Sequence, residues 1–177
     1  MAGFKNSKER LNKTLEMIIA ILIDNNINNW FISYGTLLGI VRDNSCIEND
    51  DDVDIIVDRK YFDKLHNILR NNSIKTTRAY GINNTDKIIK TIDTEMYSSI
   101  DFYCADFNEN TNDFHDTWEK VIWTKCKDDN DNFVVKQWNN IELNLPLNYE
   151  KKLEGRYGKN WRIPQNNKGP MPRLKKL

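Results

Sequence analysis

The stretch that decides the fold is Asp50-Asp51-Asp52-Val53-Asp54-Ile55-Ile56-Val57-Asp58. Val53, Ile55 and Val57 alternate with Asp52, Asp54 and Asp58, which is the two-residue period of a half-buried β-strand with aliphatics and acids facing opposite ways. Asp52 and Asp54 therefore project from one face, with Cα atoms ~6.5–7 Å apart. Two carboxylates so placed reach one ion, and hard oxygen ligands with no His or Cys beside them select Mg²⁺, Mn²⁺ or Ca²⁺ over zinc or copper. One or two carboxylates plus substrate phosphates is the usual setting for Mg²⁺.

Upstream, residues 30–34 (WFISY) read as a short buried strand, Gly35-Thr36 as a break, and residues 37–42 (LLGIVR) as a helix. A glycine lets backbone approach an anion, and the first free N–H groups of a helix point at it. Arg42 follows Gly35 by about two turns, so its planar fork falls on the same side for a phosphate oxygen. Gly35, Thr36 and Arg42 are thus the candidate donor-phosphate contacts. Downstream, a third carboxylate is wanted to activate a hydroxyl or complete a metal site. Asp101, set between Ile100 and Phe102 in an expected strand over residues 98–107, is the first candidate, with Asp93 and Asp106 behind it. A carboxylate inserted in an apolar strand costs several kcal/mol unless paired or liganded.

Blander readings stand beside these. An acidic run taken alone is most often a solvated turn. A calcium loop fails because Ile55 stands where Gly is needed and Tyr61 where Glu is needed. His66 and His115 are isolated and receive no role, and the tryptophans are read as packing residues.

Working outward, Leu11, Leu15, Ile18, Ile19, Leu22 and Ile23 recur at three- and four-residue steps, which describes an amphipathic helix. Its apolar run, residues 17–23, is shorter than the ~20 residues a membrane span needs, and no signal-peptide cleavage pattern follows it. Residues 60–70 are expected as a helix, residues 74–80 and 88–92 as alternating segments, and residues 108–113 as a loop. Residues 118–123 are expected as a helix, 133–135 and 141–145 as strands, and 148–157 as a final helix closed by Gly158. Beyond residue 165 a loose basic tail is expected.

The chain of 177 residues suits a single domain spanning 1–177. With 26 basic and 26 acidic side chains the formal charge is zero, so nothing favours nucleic acid or an anionic membrane as partner. Cys46, Cys104 and Cys126 form neither a disulfide framework nor a zinc pattern, and a reducing, cytoplasmic setting is expected.

The ordered set Tyr34-Gly35-Thr36-Leu37-Leu38-Gly39-Ile40-Val41-Arg42, Ile47, then Asp50-Asp51-Asp52-Val53-Asp54-Ile55, resembles the LicD/fukutin family of the nucleotidyltransferase superfamily. The likeness continues through Tyr61-Phe62-Asp63-Lys64-Leu65. It returns at Pro146, Tyr149-Glu150-Lys151-Lys152-Leu153-Glu154, Arg156-Tyr157-Gly158, Trp161 and Pro164. The resemblance implies an α+β fold, a nucleotidyltransferase-like mixed β-sheet with flanking helices. It also implies metal-dependent transfer of a phospho-alcohol, such as phosphocholine or ribitol phosphate, from a CDP-linked donor to a glycan hydroxyl. By position, Asp52 and Asp54 resemble the family's metal ligands and Gly35, Thr36 and Arg42 its donor-phosphate contacts, with Mg²⁺ or Mn²⁺ as cofactor; Asp101 matches by strand context alone. The chain departs from the pattern at Asp43, where His is usual, and at Glu48-Asn49, where Pro-Trp is usual. These departures bear on donor identity more than on reaction type. Two other readings stay open: transfer of an NMP onto a small molecule or protein, and an inactive module that binds a nucleotide-sugar or partner.

Overall fold

The computed structural model describes residues 7–77 and 87–164; the expected tail and the last three residues of the 74–80 segment lie outside them. In chain order the elements are α1 (Ser7–Asp24), β1 (Trp30–Ile32), α2 (Tyr34–Asp43), β2 (Asp52–Asp58), a 3-10 turn (Arg59–Tyr61), α3 (Phe62–Asn71), β3 (Ile88–Lys90) and β4 (Ser99–Asn108). They continue with β5 (Asp113–Asp116), β6 (Val121–Trp123), β7 (Val134–Trp138), β8 (Ile141–Leu145) and α4 (Tyr149–Tyr157).

A six-stranded mixed sheet runs β1-β2-β4-β5-β6, with β3 also on β4, and β7-β8 form a separate hairpin. This is the α+β mixed sheet with flanking helices that the sequence implies. β2 and β4 are parallel and both are covered on two faces, which is why residues 53–58 are all buried although the acids alternate with aliphatics. Behind the acids, Val53, Ile55, Val57, Ile100, Phe102 and Cys104 make the opposite, wholly apolar face. On the acid face, further along the strands, Phe31 meets Phe114 at 5.2 Å and Trp123 at 5.4 Å between ring centroids. The acids thus stand at the N-terminal ends of β2 and β4 with an aromatic cluster beyond them.

Four local expectations are corrected. Residues 118–123 are not a helix: Val121–Trp123 pair with β5, because Val121 and Trp123 face inward at a two-residue period. The loop over 108–113 is shorter than expected, since Asp113–Asp116 form a strand in which Phe114 and Asp116 are buried. Gly35 and Thr36 do not break the chain but lie inside the first turn of α2, and β1 stops at Ile32. Ile23, in the last turn of α1, is 51% exposed, whereas Leu11, Leu15, Ile18, Ile19 and Leu22 are sealed in the core. Gly158 closes α4 as expected, at φ 86°.

Candidate active site

The register of three strands builds the site. Asp54 on β2 lies opposite Asp101 on β4, and Asp101 lies opposite Lys90 on β3, so the three side chains form one row across a single face. Asp52 joins them from two residues up the same strand. The Lys90 ammonium pairs with Asp101 Oδ2 at 2.5 Å. Asp101 is 2% exposed, and its other oxygen, Oδ1, is buried with no hydrogen-bond partner.

Asp54 is held on every side. Its Oδ2 accepts from the Gly35 N–H at 2.9 Å, its Oδ1 accepts from the Tyr103 hydroxyl at 3.1 Å, and its own N–H donates to Thr36 Oγ at 2.8 Å. Gly35 is required here by space rather than by dihedral freedom. A Cβ on it would lie 2.7 Å from Asp50 Oδ2 and 3.3 Å from Asp54 Oδ2. The cradle expected for a phosphate thus holds a carboxylate of the protein itself at Gly35, and the Thr36 hydroxyl anchors β2. Arg42, also expected at the phosphate, is bound through Nε and Nη2 to Asp43 Oδ2 at 2.9 and 2.7 Å. The alternative third acids stand elsewhere: Asp93 pairs with Arg10 of α1, and Asp106 pairs with Arg59 near the far end of β4.

Crowding these acids has an electrostatic consequence. Burial, then the charges of Asp101, Asp51 and Asp50, push the Asp52 carboxyl up to about 7. Burial pushes Asp50 to about 6. Asp54 is raised well above the usual carboxylate range by burial and by Asp52, Asp101 and Asp50. Asp101 is raised by burial, with Lys90 opposing. Mutual repulsion among these carboxylates would be relieved by a cation placed between them. One oxygen from each of Asp50, Asp51 and Asp52 lies within 4.8 Å of the others, so Asp52 belongs to both the acidic run and the row. The all-oxygen donors of this cluster suit a hard divalent ion, and Asp101 Oδ1 is a buried oxygen left without a partner in the adjoining row.

Sequence reasoning missed the residues that support this row from other elements. Lys90 and Tyr103 reach it only through register. Tyr34, the first residue of α2, sits at φ 44°, a left-handed conformation that costs an L-residue ~1–2 kcal/mol. Its hydroxyl donates to buried Asp116 at 2.5 Å and its ring packs at a tilt against Tyr103, 4.7 Å between centroids, which secures the turn that presents Gly35. Arg156 of α4 lies over the same Tyr34 ring, 4.2 Å from its centroid. Tyr34, Arg156 and Tyr157 were visible in the motif, but nothing in their spacing assigned them a task.

This curled mixed sheet, with acids at one end of its central strands, has the architecture of a nucleotidyltransferase. The structure resembles a lincosamide antibiotic adenylyltransferase, LnuA, solved with lincomycin bound, at a TM-score of 0.57 and 15% identity over 80% of this chain and 83% of that one. The chain belongs to the LicD/FKTN/FKRP family, whose nucleotidyltransferase domain matches residues 27–153. No curated protein matches it. The family is one of phosphotransferase- and nucleotidyltransferase-like proteins, and the matched span contains every acid of the row together with Lys90 and Tyr103. Among the described residues no helix is long and apolar enough to cross a membrane.

Proposed function

We propose that this domain transfers a phospho-alcohol from a CDP-linked donor to a glycan or glycoconjugate hydroxyl, with Mg²⁺ or Mn²⁺ held by Asp52, Asp54 and Asp101. The observation that carries the reading is the Asp54–Asp101 pairing with its unpartnered, buried Asp101 Oδ1. The ion would supply charge neutralisation at the donor phosphate. Asp101 Oδ1 takes the proton of the acceptor hydroxyl while Lys90, on Oδ2, holds the carboxyl in place. The acceptor oxygen bonds to the phosphorus that carries the alcohol, the P–O bond to CMP breaks, and the electron pair leaves with CMP. Gly35 and Thr36 serve the donor by fixing Asp54, and Arg42 reaches a phosphate oxygen by exchanging Asp43 for it.

The second reading, transfer of an NMP to a small molecule, draws on the adenylyltransferase likeness. It uses the same acids with attack at the α-phosphorus and pyrophosphate leaving. A thermal-shift and calorimetric screen of CDP-choline, CDP-ribitol, CTP, ATP and UTP tests both. Each ligand is run with Mg²⁺, with Mn²⁺ and with EDTA, on wild type and Asp52→Ala/Asp54→Ala. Metal-dependent binding of a CDP-alcohol, lost in the double variant, supports the first reading, and the product mass separates phospho-alcohol from nucleotide transfer. Binding of donor that ignores both the metal and the double substitution would instead make the domain a recognition module.

A further inference from the structure

A donor phosphate at the acid row would be held better by a cation on its side away from the metal, and the basic residues near the row are mostly committed. Lys90 is paired with Asp101, Arg42 with Asp43, and Arg59 with Asp106. Arg156 differs. Among the described residues it has no carboxylate within ion-pair distance, its Nε is buried without a hydrogen-bond partner, and the side chain as a whole is only half-buried. Its guanidinium is oriented by lying 4.2 Å from the Tyr34 ring centroid and by a side-chain hydrogen bond to the neighbouring Tyr157, whose ring centroid is 6.0 Å away.

Its position relative to the acids follows from two contacts. Tyr34 immediately precedes Gly35, whose N–H holds Asp54 and whose Cα faces Asp50. Tyr157, the neighbour of Arg156, is close enough to Asp54 and Asp50 for their charges to add to the burial that raises its phenol. Arg156 thus packs on the ring of the residue that precedes Gly35, and brings there a positive fork with no carboxylate partner among the described residues. A planar guanidinium stacked on an aromatic face keeps its N–H edges for a bidentate oxyanion.

We infer that Arg156 is the anion-binding arm of the site, taking the phosphates of the donor between itself and the acid row. This rests on the transferase reading for the identity of the donor, but not for the anion contact. The test is calorimetric titration of inorganic pyrophosphate, in Mg²⁺ and over a salt series, into wild type, Arg156→Lys and Arg156→Met. The Met variant keeps an aliphatic stem over Tyr34, and thermal unfolding of each variant reports whether the fold persists. Pyrophosphate affinity is expected to fall by about tenfold or more in Arg156→Met, to fall less in Arg156→Lys, and to lose part of its salt dependence only when the charge is removed. Equal affinity and equal salt slope in wild type and Arg156→Met, or no pyrophosphate binding by wild type, would overturn the inference. Pyrophosphate capture that depends on Arg156 without turnover of any CDP-alcohol or NTP would keep this site and remove the transfer reading. Turnover untouched by Arg156→Met would do the reverse.

Discussion

Replacing Gly35 by alanine separates folding from ligand binding in a way the geometry makes quantitative. The added Cβ would stand 2.7 Å from Asp50 Oδ2 and 3.3 Å from Asp54 Oδ2, and ordinary contact begins at 3.4 Å. Asp50 must therefore retreat by 3.4 − 2.7 = 0.7 Å and Asp54 by 3.4 − 3.3 = 0.1 Å. Asp50 is a flexible side chain that, among the described residues, accepts one long hydrogen bond, from the Asp51 N–H to Oδ1 at 3.2 Å. Its rotation costs at most ~0.5–1.5 kcal/mol. Against this, Gly→Ala within a helix gains up to ~1 kcal/mol, and Gly35 is helical with no positive φ. The net change in stability is expected to stay within about 1 kcal/mol, or roughly 2–4 °C in Tm for a chain of this size. Binding is different, because Asp50, pushed aside by 0.7 Å, crowds Asp52 in the same acidic cluster, and Asp54 loses the close fit of its Oδ2 to the Gly35 N–H. A loss of about tenfold, equivalent to ~1.4 kcal/mol, is expected in Mn²⁺ affinity. Urea denaturation and Mn²⁺ calorimetry on the same preparation measure both. Unchanged Mn²⁺ affinity would refute the claim that Gly35 sets the place of Asp54 at the ion site with Asp50 beside it, and destabilisation beyond about 3 kcal/mol would refute the claim that Asp50 can yield.

Gly39→Ala is the contrasting substitution: its Cβ would meet Ser45 O at 2.5 Å and Ile47 N at 2.9 Å, both backbone, so a loss of about 1–3 kcal/mol is expected by denaturation. Tyr103→Phe removes the donor to Asp54 Oδ1 and is expected to weaken Mn²⁺ binding by roughly three- to tenfold with the fold intact; affinity equal to wild type would show that the hydroxyl does not hold Asp54 in its binding position. Asp52 and Asp50 have folded values raised from 3.8 to about 7 and about 6, so the unfolded chain releases these protons first. Their contribution to stability in EDTA is therefore expected to decline as pH climbs from about 4 to about 7 and then to level. Mg²⁺ should restore more of the lost Tm at pH 7.5 than at pH 5; a Tm in EDTA that rises through this window would contradict the raised values.

The strands that carry the candidate site were legible in the sequence, because the acid strand has its own period. Asp52 and Asp54 sit together on one face as their spacing requires, and Asp101 falls in the β-strand expected from Ile100 and Phe102. What was misread had too little apolar signal or the wrong one. In Asp113–Asp116 a single Phe among polar residues hides a strand whose inward acid, Asp116, is satisfied by Tyr34 and two backbone N–H groups. The aromatic run ending at Trp123 suggested a helix because its apolar residues cluster, yet Val121 and Trp123 alternate across Ile122. Gly35 was noticed for the right reason, a close approach of an anion, while the anion it meets in the structure is a side chain of the protein.

The row itself is a product of topology and could not be read locally. Asp54 and Asp101 are 47 positions apart, and they meet because β2 and β4 are parallel, which demands a long crossover between them. A slip of one residue would turn Asp101 toward the apolar face and put Ile100 or Phe102 among the acids. What prevents the slip is the burial of Ile100, Phe102 and Cys104 against the layer behind the sheet, so the hydrophobic core sets the register of the acids. β3 then adds Lys90 opposite Asp101 by antiparallel pairing, which supplies one fixed positive charge to the row. The cost of gathering carboxylates on a buried face is met by the apolar half of the same strands. Substitutions behind the sheet, at Ile100 or Phe102, should therefore weaken ion binding through register before they unfold the domain.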